Sequence, residues 1–158
     1  MPQTTLNNMI RRGANACTRA ISALQFAAPT LTRLLIGVAF IFTGRGKLMN
    51  LDRTIAFFTD LGIPFPAANA VFISCLELVG GACLVLGLGT RILAALLSST
   101  MVVALLTADR GTFVSKFPAD LTDVTPVVFL LFLIWLVLYG AGPLSLDRLL
   151  DQRVEITE

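Results

Sequence analysis

Four stretches of this chain are apolar over close to the ~20 residues a bilayer crossing requires. They span 30–48, 67–87, 92–108 and 124–140 and are separated by short polar segments. The link between the second and third, LGTR, is too short for anything but a tight hairpin. The fourth, VTPVVFLLFLIWLVLYG, is apolar all round and carries no ionisable group, which suits lipid contact rather than chemistry. The two longer connections fall on the opposite side. In NLDRTIAFFTDLG, Leu51, Ile55, Phe58 and Leu61 share one helical face. Asn50 stands where an N-cap belongs and Gly62 where a helix stops. This predicts a short interfacial helix lying across the mouth of the bundle. The other connection, DRGTFVSKFPADLTD, is polar and mixed in charge. The pattern as a whole predicts an all-α integral membrane protein: a four-transmembrane-helix bundle with interfacial N-terminal and loop helices.

The flanks differ from this membrane domain, which is read as 29–142. Segment 1–28 carries Arg11, Arg12 and Arg19 and no acid. Ile10, Ala14, Cys17, Ile21 and Leu24 recur at helical spacing opposite those arginines, as in a helix lying on an anionic membrane surface. A mitochondrial presequence has the same pattern, and that alternative stays open; an ordinary secretory signal does not fit. Segment 143–158, PLSLDRLLDQRVEITE, aligns Leu146, Leu149, Leu150 and Val154 as a further surface helix. With both termini inside, Arg11, Arg12, Arg19, Arg33, Arg91, Arg148 and Arg153 lie on the cytoplasmic side. Arg45, Lys47, Arg53, Arg110 and Lys116 lie on the other. The positive-inside tendency then favours a multi-pass membrane protein with both termini, and so the 143–158 tail, cytoplasmic.

Composition supports the membrane class. The 158 residues are 56% hydrophobic and 14% charged, with a mean hydropathy of +0.83, too few polar groups to coat a soluble domain. A net charge of +2 is too small to imply nucleic acid. There is no histidine, which removes the commonest metal ligand, haem ligand and general base. Cys17, Cys75 and Cys83 form no C-x-x-C, so a dithiol, zinc or iron–sulfur centre is not expected, and each reads as a small hydrophobe.

Against that background, Glu77 stands out. It sits near the middle of the second span, in FISCLELVGGACLVLG, where insertion of an acid costs about 2.5–3.5 kcal/mol and the side chain normally faces the bundle interior. Ala70, Ser74, Glu77 and Gly81 form a small, polar stripe that permits close approach of another helix. The first span has a matching stripe in Arg33, Gly37, Phe40, Gly44 and Lys47. Helical side chains lean toward their own N-terminus. Lys47 therefore leans from the outer surface toward the membrane centre, Glu77 leans toward that surface, and Arg33 leans away to the headgroups. Lys47 is the better partner for Glu77, with Arg45 as a second cation. Asp109 and Arg110, at the outer end of the third span, are placed to close the ring. Snorkelling accounts equally for Arg33, Arg45 and Lys47, packing for Gly80 and Gly81, and a purely structural ion pair for Glu77 and Lys47.

The segments TRLLIGVAFIFTGRGKL, FFTDLGIPFP, LELVGGACLVLGLGTR and GPLSLDRLL, in that order, resemble the DoxX family of small four-span membrane proteins. The resemblance covers roughly residues 31–150. It rests on the Gly44-x-x-Lys47 step, the LG-x-P-x-P turn, Glu77 before a glycine pair, and the closing LSLDRLL. It implies membrane redox: subunits of thiosulfate:quinone oxidoreductases, oxidoreductases of the quinone and catechol stress response, and a mycobacterial membrane complex for oxidative stress. Many members carry a histidine after the third span. This chain has none, so the resemblance brings no metal or haem ligand with it.

The leading expectation is an inner-membrane subunit of a quinone-linked redox system, serving oxidative or quinone stress or sulfur-compound oxidation, with no metal or flavin of its own. Glu77 and Lys47 are its candidate catalytic pair, Glu77 moving a proton and Lys47 or Arg45 polarising a quinone carbonyl. Ser74, Gly81, Asp109 and Arg110, with Arg45, are candidate substrate-binding residues. Besides the bilayer, the candidate partners are a peripheral oxidoreductase and a second copy of the chain. Two rivals remain: a non-enzymatic anchor for that oxidoreductase, and a small-molecule or proton carrier.

Overall fold

The computed structural model describes residues 27–142 and 145–148, and all regular structure among them is helical. Helix α1 spans Ala27–Met49. It is followed by α2 at Leu51–Asp60, α3 at Pro66–Leu86, α4 at Thr90–Leu106, α5 at Arg110–Lys116 and α6 at Thr125–Tyr139, with a 3₁₀ turn at Leu121–Asp123. The amphipathic segments expected at 1–28 and over most of 143–158 lie outside the described residues, apart from a helical turn at 146–148.

Two helices, α1 and α3, are long and apolar enough to cross a membrane. A third crossing follows if α4 and α5, which meet at a bend of 79°, are taken as one broken span. Where an unbroken third span was expected over 92–108, α4 stops at Leu106 and the chain turns through Thr107–Asp109. The fourth apolar helix, α6, is 15 residues long. It starts later than hydropathy suggested because Pro126 sits in its first turn, where its missing N–H costs nothing.

Burial is distributed as in a membrane protein. Leu35, Phe42, Phe72, Leu131 and Leu138 point outward, whereas Arg33, Ser74, Glu77 and Thr90 are buried. The apolar core gathers Ile36 and Phe40 from α1, Leu84 from α3, Ala94 and Leu97 from α4, and Leu133 and Leu136 from α6. Phe40 meets the edge of Phe129 at 5.4 Å and 89°. Helix α4 packs on α6, and α3 lies against both α2 and α4.

Helix α2 forms where its spacing indicated, with Phe58 buried and Gly62 leaving the helix at φ +70°. Asn50 departs from its expected role. It occupies the N-cap position but makes no cap; its amide donates to the Gly46 carbonyl at 3.0 Å instead. One residue separates α1 from α2, so Asn50 also sits at the end of α1, where carbonyls lack helical partners.

Candidate functional site

Glycines set the distance between α1 and α3. A Cβ on Gly37 would stand 2.8 Å from the Gly81 carbonyl oxygen, and one on Gly81 would stand 2.7 Å from that of Gly37. A Cβ on Gly44 would meet Leu78 N at 2.5 Å and the Ser74 oxygen at 2.7 Å. Both helices therefore touch through backbone, the small-residue packing typical of membrane interfaces.

One turn beyond Gly44, this contact brings Lys47 to Glu77. The Lys47 ammonium donates to Glu77 Oε1 at 2.6 Å, a short charge-assisted bond. The two partners are differently placed: the Lys47 side chain is 33% exposed and that of Glu77 only 2%. Glu77 Oε2 is buried with no hydrogen-bond partner among the described residues. A buried acceptor left unpaired costs about 1–3 kcal/mol, so such atoms call for an explanation.

Lys47 and Glu77 both line an open cavity of about 530 Å³ bounded by α1, α2, α3 and α4. That falls within the range of ~300–1,000 Å³ found for small-molecule pockets. Its walls are mostly apolar, with Phe42 from α1, Phe57 and Phe58 from α2, Ile73 from α3 and Met101 from α4. Besides Lys47 and Glu77, the polar lining consists of Asn50, Arg53 and four threonines. The threonine hydroxyls are already committed to backbone carbonyls: Thr43 to Phe40, Thr54 to Asn50, Thr100 to Leu97 and Thr107 to Val103. They offer a ligand only acceptor lone pairs. Thr54 Oγ also lies 3.2 Å from the Lys47 carbonyl, which ties the start of α2 to the end of α1.

The other candidate residues do not line this cavity. Arg45 is exposed on α1. Ser74 is buried and its hydroxyl donates to the Ala70 carbonyl of its own helix at 2.6 Å. Gly81 packs on Gly37, and Gly80 faces the Leu97 side chain at ordinary contact distance. Asp109 and Arg110 lie beyond α4, at the start of α5, with Arg110 exposed. Cys75 is exposed and Cys83 half-buried, both as free thiols; Cys17 is outside the described residues. The contribution of α2 was not foreseen. Its apolar face was legible, but Arg53 and Thr54 belong to no motif, and only the fold brings them beside Lys47.

At the opposite end, Arg33 is not a snorkelling residue. It is 3% exposed and donates to the Ala141 carbonyl at 2.9 Å, in a space that a side chain on Gly87 would fill. Beside it the Asp147 carboxylate accepts from the backbone N–H of Gly89 at 2.6 Å and of Thr90 at 3.0 Å. Asp147 N donates in turn to the Gly87 carbonyl. Asp147 thus caps α4 from 57 positions along the chain, supplying the acceptor that the LGTR hairpin lacks.

Comparison with known proteins gives the chain a family. The model of the DoxX family matches residues 28–110. The chain is 32% identical over 118 residues to "Putative oxidoreductase CatD" of Bacillus subtilis, an alignment covering 74% of this chain and 82% of the relative. It is 35% identical over 133 residues to "Uncharacterized membrane protein Rv3486" of Mycobacterium tuberculosis, covering 77% and 80%. No solved structure matches the chain significantly.

Proposed function

The chain belongs to the DoxX family of membrane proteins, and on that premise we propose that it is a subunit of a quinone-linked redox system of the bacterial inner membrane. The observation that carries this reading is the apolar, phenylalanine-lined cavity with a lysine–glutamate pair in its wall. A flat, oxygen-bearing ring fits such walls, and the partly exposed Lys47 ammonium is the natural donor to one of its oxygens. The relative named as an oxidoreductase supports the redox class.

In this reading α1, α3, the α4–α5 pair and α6 are the four spans, both termini are cytoplasmic, and the cavity opens in the outer half of the bundle. Bound quinone supplies two-electron chemistry, with the electrons coming from a partner oxidoreductase. The residues of this chain position the ring and manage protons. Lys47 holds a ring oxygen through N–H groups not used on Glu77. Glu77 would keep the ammonium oriented and, on taking up a proton from water, would pass it to the reduced ring oxygen through Lys47. Phe42, Phe57 and Phe58 give the ring apolar walls to lie against.

The near-complete burial of Glu77 favours a second reading, in which the pair only locks α1 to α3 in a membrane anchor for that oxidoreductase. A photoreactive azidoquinone incorporated into membranes separates the two. The quinone reading predicts adducts on cavity residues such as Phe42, Phe57 and Met101, competed away by unmodified quinone. Adducts confined to the outward face of α6 would overturn it.

A further inference from the structure

Resting on that reading of the cavity, we infer that Arg53 is a binding residue: its guanidinium holds a second oxygen of the ligand while Lys47 holds the first. Three observations lead there. Arg53 lines the same cavity as Lys47 and Glu77. Its guanidinium takes part in no hydrogen bond or ion pair among the described residues, whereas the Lys47 charge is met by Glu77 at 2.6 Å. And Thr54, the next residue, has its Oγ 3.2 Å from the Lys47 carbonyl, which holds the backbone of Arg53 close to the end of α1.

The donors left in the cavity define the ligand. With the threonine hydroxyls turned to backbone and one N–H of the Asn50 amide given to the Gly46 carbonyl, the charged donors facing the cavity are Lys47 and Arg53. Both are cations and both seek acceptors. The charges of Lys47 and Glu77 offset one another, so Arg53 leaves one uncompensated positive charge over apolar walls. The complementary molecule is a ring with two separated oxygen acceptors and an apolar substituent to lie along the phenylalanines. A ring with a single oxygen satisfies Lys47 and leaves Arg53 idle. Arg53 therefore selects for the dioxygenated ring.

The test compares two probes on the purified full-length protein in detergent: a fully substituted, thiol-inert 1,4-benzoquinone with a decyl chain, and its analogue with one carbonyl. Arg53 is exposed and outside the core, so Arg53→Gln is expected to fold normally, with unchanged thermal unfolding as the check. Wild type should bind the two-carbonyl probe about tenfold or more tightly than the one-carbonyl probe, the size of one hydrogen bond to a charged group. Arg53→Gln should lose that preference and leave the one-carbonyl affinity unchanged, and Arg53→Lys should restore part of it. Equal loss of both probes in Arg53→Gln, or no loss of either, overturns the role of Arg53 while the quinone site stands. Failure of wild type to bind either probe overturns the quinone reading itself.

Discussion

Replacing Gly44 by alanine isolates the backbone contact that positions Lys47. The new Cβ would lie 2.5 Å from Leu78 N and 2.7 Å from the Ser74 oxygen. The first is about 0.9 Å short of ordinary contact, which begins at 3.4 Å. The atoms it meets are helix backbone, so no rotamer change relieves the clash, and α1 and α3 must part by roughly that amount. Overpacking of this kind costs about 1–3 kcal/mol. Lys47 stands one turn further along α1, and Glu77 lies between Ser74 and Leu78 on α3. Parting the helices there stretches the 2.6 Å Lys47–Glu77 bond toward the ~3.5 Å at which a hydrogen bond is lost. Gly46→Ala is the matched control, because a Cβ there meets nothing within 4 Å. Thermal unfolding in mild detergent should show Gly44→Ala melting roughly 2–12 °C below wild type, with Gly46→Ala at or slightly above it. Equal melting temperatures for the two variants would refute the close α1–α3 contact.

Two further outcomes follow from the same geometry. Asp147→Ala removes the remote cap of α4 and should cost about 1–2 kcal/mol in the same unfolding assay, while exposed Arg148→Ala changes little; equal behaviour of the two would show that the cap carries no weight. Lys47→Met strands a carboxylate whose side chain is 2% exposed and should cost about 3–5 kcal/mol, with Lys47→Met/Glu77→Leu recovering most of it; a harmless Lys47→Met would show that the pair contributes little to stability.

Much of the helical layout was legible because it is local. Runs of apolar residues mark α1 and α3, and four apolar residues at helical spacing with a terminal glycine mark α2. The meeting of α1 and α3 was legible for a different reason: glycines at helical spacing mark a face that only another backbone can cover, and side-chain lean then pairs Lys47 with Glu77. What escaped is what depends on distant parts of the chain. Arg33 reads as a surface arginine until the turn at Ala141 is folded over it. Asp147 reads as part of an amphipathic tail until it reaches Gly89 and Thr90. Ser74 reads as polar lining, yet a helical serine can satisfy itself on the carbonyl four residues back. Arg45 reads as the second cation in the sequence, and Arg53 carries no signal of its own. Helix rotation turns the first away from the cavity, and the interfacial helix carries the second into it.

The most direct measurement is the quinone content of the protein purified from its native membranes in mild detergent, beside Glu77→Gln at matched yield and matched thermal stability. The account predicts near-stoichiometric quinone in wild type and its loss in Glu77→Gln, since the neutral amide no longer holds the Lys47 ammonium in place. Absence of quinone from both, with a soluble oxidoreductase retained by both, would contradict it and make the lysine–glutamate pair the lock of a membrane anchor.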